Sequence, residues 1–146
     1  MAADNPRKQN VSIVFWPKFN DSVTSTKKRF MNVGSYRVDQ QKIIFETGKF
    51  IEFDFSVQDT LVFDGKIIVL LDVSGNIRFN RNVYAIDFNG ELLWQIERSE
   101  NLDLIGYCPF ISVEAQNPKL VSFNWCGFKF IIDPDTGKVI ESIFTK

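Results

Sequence analysis

NVYAIDFNGELLWQIE, residues 82–97, is the stretch from which the rest of the chain is read. Asn89-Gly90 is the dipeptide best suited to a two-residue hairpin turn, because both central positions of that turn need positive φ. Before it, Tyr84, Ile86 and Phe88 alternate with Val83, Ala85 and Asp87. After it, Leu92, Trp94 and Ile96 are expected on one face, with Leu93, Gln95 and Glu97 on the other. The same unit returns upstream in KIIFETGKFIEFDF (42–55), turning at Thr47-Gly48, and downstream in FKFIIDPDTGKVIESIF (128–144), turning around Asp135-Thr136-Gly137. The turn glycines Gly48, Gly90 and Gly137 are 42 and 47 residues apart. That is the spacing of a repeat in which each unit buries a face against the next.

The segments between these units also read as strand and turn. Asp64-Gly65 marks another hairpin, and KIIVLLD (66–72), apolar on both faces, reads as a central strand. Val11 to Trp16 reads as a short strand stopped by Pro17. Ser56 to Asp59 reads as a loop and Ile77 to Asn80 as a short strand. Leu104 to Ala115 reads as a strand interrupted at Cys108-Pro109, and Leu120 to Trp125 as an alternating one. No run of 10–12 residues has helical periodicity with caps. Fifteen phenylalanines, with abundant Val and Ile, favour sheet. The fold expected is all-β, with residues 1–10 a disordered tail and 11–146 a single domain.

The repeat resembles the blades of quinoprotein-type (PQQ-repeat) β-propellers, whose outer strands run aromatic-Ala-hydrophobic-Asp, turn with Gly, then charged, two hydrophobics and Trp. Tyr84 to Asp87 with Gly90 to Trp94 follows that order, and Phe130 to Asp133 with Gly137 to Ile140 follows it until Glu141 replaces the Trp. The resemblance implies antiparallel hairpin repeats building about three blade-like sheets. A propeller needs 4–8 blades, so three sheets imply an open propeller fragment or sandwich, or a ring completed by two chains. It does not bring the quinone cofactor with it, since that needs a complete ring, and no cofactor is expected.

The chemistry legible in the sequence is sparse. There is no histidine, which removes the commonest general base, the commonest zinc ligand and every Ser-His or Cys-His pair. No phosphate loop or GxSxG elbow occurs. Asp133 to Gly137 opens like a calcium loop, but the twelfth position is Phe144, so a hairpin turn is expected and no metal. Glu52 and Asp54, two apart on a strand, read as its wet face rather than as paired catalytic carboxylates. The expectation is a protein that is not an enzyme.

Nothing in the chain approaches the roughly 18 apolar residues of a membrane span, and the polar N-terminus lacks a signal h-region. These features lead to a cytoplasmic protein in which Cys108 and Cys126 are reduced apolar fillers. Residues 1–50 hold nine bases and four acids, net +5, and residues 51–146 hold eight and fourteen, net −6. Lys27-Lys28-Arg29 reads as protection of a strand edge. The acid-rich segment from Asn82 to Pro118 reads first as a solvated sheet face and loop; as a functional patch it would repel nucleic acid and attract a basic protein.

In general character such a small, acidic, histidine-free β-domain resembles bacterial immunity proteins that neutralise contact-dependent or polymorphic toxins. That resemblance implies a non-catalytic module, monomer or homodimer, binding a basic toxin domain. Glu97, Glu100 and Asp103 would face its basic groove, with Tyr107 and Trp125 as aromatic anchors. A self-assembling propeller-type scaffold and a small-ligand or carbohydrate binder with exposed tryptophans are the alternatives.

Overall fold

The computed structural model describes residues 35–75, 77–99 and 106–145, together with the backbone of 11–15. It is all-β, without a helix among the described residues. Among the described residues, twelve strands form three four-stranded antiparallel sheets. The first contains β1 (Val11–Phe15), β2 (Tyr36–Asp39), β3 (Lys42–Phe45) and β4 (Lys49–Phe53), in the order β1-β4-β3-β2. The middle sheet is the meander of β5 (Val57–Phe63), β6 (Lys66–Leu71), β7 (Val83–Ile86) and β8 (Leu92–Gln95). The third is the meander of β9 (Phe110–Gln116), β10 (Lys119–Asn124), β11 (Phe128–Ile132) and β12 (Val139–Phe144). The early strand Val11–Phe15 thus skips past its sequence neighbours and completes the outer side of the first sheet beside β4.

The sheets stack, and the two faces of the middle one form two separate cores. Ile67, Val69, Tyr84 and Ile86 meet Ile43, Phe45, Ile51 and Phe53 of the first sheet. Ile68, Val83, Ala85, Trp94 and Ile96 meet Phe110, Leu120, Phe130 and Ile132 of the third. This is why KIIVLL has no polar alternation: all of β6 after Lys66 is buried. The strand Val83–Ile86 is buried at every position for the same reason.

The turns refine the sequence reading. Gly90 N–H bonds to Asp87 carbonyl at 3.1 Å and only Gly90, at φ 82°, is left-handed, so the loop has three residues instead of two. The Asp87 carboxylate accepts the N–H groups of Asn89 and Glu91, both at 2.9 Å. At the corresponding turn of the third sheet Asp133 accepts from Asp135 at 2.9 Å. Asp64-Gly65 does form the two-residue hairpin, with φ of 53° and 75°.

A bulge also changes which residues share a face. Ile86 pairs with Leu92 while Ala85 pairs with Trp94, so Leu93 is the extra residue. Leu92 therefore packs towards the first sheet and Trp94 and Ile96 towards the third, where strict alternation places all three together. The third sheet repeats this at the same place, with Ile132 opposite Val139, Ile131 opposite Glu141 and Ile140 extra. Residues 57–59, read as loop, begin β5. Residues 77–80 are not a strand: Phe79 stacks on Phe55 at 5.4 Å.

Polar contacts repeat between sheets. Lys49 Nζ donates to Asn89 carbonyl at 2.8 Å, carrying the first sheet onto the turn of the second. Trp94 Nε1 donates to Pro134 carbonyl at 2.7 Å, carrying the second onto the turn of the third. Asn82, fully buried, donates to the carbonyls of Leu71 and Phe110 and accepts the Phe110 N–H, which closes the start of β9. Lys27-Lys28-Arg29 and Trp16 lie outside the described residues.

Candidate functional site

The turn from β10 to β11, Asn124-Trp125-Cys126-Gly127, carries the most exposed aromatic side chain of the described residues, Trp125 at 60%. Three contacts fix it. Its N–H donates to Pro109 carbonyl at 2.8 Å. Its ring meets Tyr107 edge-on at 6.1 Å, and the Tyr107 hydroxyl donates to Val73 carbonyl at 2.9 Å. Its neighbour Cys126 is disulfide-bonded to Cys108, with Cα atoms 5.3 Å apart. The cysteines are therefore not the reduced fillers expected. The register that pairs Asn124 with Phe110 brings Cys126 and Cys108 together just beyond the ladder.

Beside Trp125 lies an open groove of about 620 Å³. Among the described residues, Ile111 and Phe123 supply apolar walls, Ser112 and Thr145 are its hydroxyl residues, and Glu114 is the one charged residue. Asn124 also lines it; its Oδ1 accepts from Phe128 N–H at 2.9 Å, while its buried Nδ2 has no partner among the described residues. No group of three or more His, Cys, Asp or Glu in the described residues could hold a metal ion.

Of the residues singled out in the sequence, Tyr107 and Trp125 are brought together. Glu97 is elsewhere: it stands at the far end of β11, where its Oε1 accepts the Val139 N–H at 2.7 Å and its N–H donates to Gly137 carbonyl at 3.0 Å. The five residues of β11, roughly 17 Å at strand rise, separate it from the Trp125 turn. Glu97 is an inter-sheet tie, and the expected grouping of acid and aromatics does not form around it. Glu100 and Asp103 lie outside the described residues. Ile111, Phe123 and Glu114 were not singled out. The available signal was adjacency: each cysteine directly follows one of the two aromatics.

These features define an all-β stack of three blade-like sheets that displays a tethered aromatic turn beside an open groove. Residues 32–144 match the family described as "Domain of unknown function (DUF7957)", and the chain belongs to that family. No curated protein matches the chain. No helix among the described residues is long and apolar enough to cross a membrane.

Proposed function

We propose that the domain is a non-catalytic protein-binding module that blocks its partner by seating it on the Trp125 turn. The observation that supports this is a tryptophan 60% exposed whose backbone, ring and neighbouring sulfur are all tied down. A rigid exposed aromatic buries a large area while losing little side-chain freedom, which is what binding anchors need. Glu114 in the groove and the net charge of −6 over residues 51–146 favour a basic partner and disfavour nucleic acid. The narrower reading is an immunity protein that silences a basic bacterial nuclease toxin, on blades related to the PQQ-repeat type.

The compartment follows from the thiols. Cysteines are ordinarily reduced in a cytoplasm, whereas the Cys108–Cys126 bond favours an oxidising compartment. Thiol titration of protein taken from its native cell decides: two reactive thiols place it in the cytoplasm, none places it outside.

Capture from native lysate with the tagged chain and with Trp125→Ala, read by mass spectrometry, tests the function. A single basic protein held by the former, lost from the latter and losing nuclease activity when the domain is added is the expected result. A partner held equally by both removes Trp125 as the anchor. Capture without any partner replaces the blocking reading.

A further inference from the structure

Among the described residues, the outer edge of the third sheet is unpaired and apolar. There strand β12 has one neighbour, β11, and carries Ile140, Ile143 and Phe144 at 65%, 38% and 58% exposure. Such edges are ordinarily guarded by Lys, Pro or very short strands. Here Val139–Phe144 is six residues long with a single charge, Glu141. The outer strand of the middle sheet, β8, has four residues and one exposed large apolar side chain, Leu93.

The direction of the free backbone groups follows from one bond. Thr145 N–H donates to Gly127 carbonyl at 2.8 Å, so Thr145, Ile143 and Glu141 direct their N–H and C=O groups towards β11. Ser142 and Phe144 direct theirs to the open side. The bulge at Ile140 leaves this alternation regular from Glu141 onward.

We propose that a second copy of this chain pairs here, antiparallel, about a two-fold axis at Ser142, joining two third sheets into one of eight strands. A two-fold axis normal to a sheet makes one residue face its own copy, in a hydrogen-bonded pair if its backbone groups point outward and in a non-hydrogen-bonded pair otherwise. Among the residues that point outward, Ser142 lies within the regular stretch from Glu141 onward and places a small side chain on the axis. Ile140 then faces Phe144 of the second copy, which extends the Phe128–Phe144 ring contact at 5.1 Å. Glu141 faces Ile143 of the second copy, so no carboxylate meets its own copy. An arbitrary partner strand would satisfy the backbone groups without matching this self-complementary order. A single strand contact is smaller than the ~1,600 Å² of a standard stable interface, so the dimer is concentration-dependent. The inference is independent of the Trp125 turn.

Sedimentation equilibrium of the full chain over a wide concentration range tests it. Wild type should pass from monomer to dimer, and Ser142→Lys, which sets two like charges face to face, should weaken the dimer about tenfold or more. Ser142→Cys should cross-link on mild oxidation, because facing Cα atoms in such a pair are about 5.5 Å apart, within disulfide reach. Gln116→Cys, exposed on β9, is the control. Monomer at every concentration, a dimer indifferent to Ser142→Lys, or equal cross-linking of the control would each overturn the proposal.

Discussion

Gly137→Ala tests how the middle and third sheets dock. A Cβ built on Gly137 would stand 2.6 Å from Cε3 and 2.7 Å from Cδ2 of Trp94, on an indole that is 7% exposed and hydrogen-bonded through Nε1. Gly137 also has φ of 80°. The left-handed backbone alone costs an alanine about 1–2 kcal/mol, and forcing a methyl into a packed contact adds about 1–3 kcal/mol. The sum, about 2–5 kcal/mol, is a large part of an ordinary domain's stability. Gly65→Ala isolates the backbone part, because φ is 75° there and nothing lies within 4 Å of the added methyl. Urea unfolding should lower the midpoint for both, with Gly137→Ala falling by the additional steric cost at unchanged m. In a Trp94→Leu background that additional cost should disappear, as a shared contact requires. Equal losses in the two glycine variants, or additivity with Trp94→Leu, would refute the docking.

Asn82→Asp should destabilise the fold by about 3 kcal/mol or more, because a carboxylate puts acceptors against the Leu71 and Phe110 carbonyls in a fully buried position; denaturant titration measures it. Lys66 is 3.1 Å from Asp135 and 3.2 Å from Asp64. Burial lowers its pKa, but the hydrogen bonds and charges of the two aspartates outweigh this and raise it above the ordinary 10.5. A raised lysine stabilises fully below its unfolded pKa and loses that contribution as pH climbs through the folded one. The Lys66→Met deficit, no more than about 1 kcal/mol for such exposed carboxylates, should thus hold through neutral pH and shrink only above pH 10.5. Iodide should quench Trp125 and spare Trp94, read in single-tryptophan variants that lack Trp16 and the other ring, given exposures of 60% and 7%.

The hairpins were legible because turn chemistry and alternation are local: Gly48, Gly90 and Gly137 all take positive φ, and Lys66–Leu71 is buried on both sides as its composition requires. What escaped was whatever depends on the neighbouring sheet. Leu92 changes face because a bulge adds one residue to the count, and no residue type announces it. Glu97 reads as surface charge until the third sheet offers it the Val139 N–H. Of the two aromatics expected to be exposed, Trp125 is and Tyr107 is half-buried, and the bond beside them depends on two cysteines 18 residues apart in sequence.

The three units share a hairpin plan but not a fastening. Four residues after the turn glycine the middle sheet carries Trp94, which plugs into the turn ahead of it, while at the same station the first sheet carries Glu52 and the third Glu141. The first sheet is joined to the second through Lys49 instead. Each joint is thus keyed by a different side chain, so the order of the sheets is written into their connectors and the units are not interchangeable.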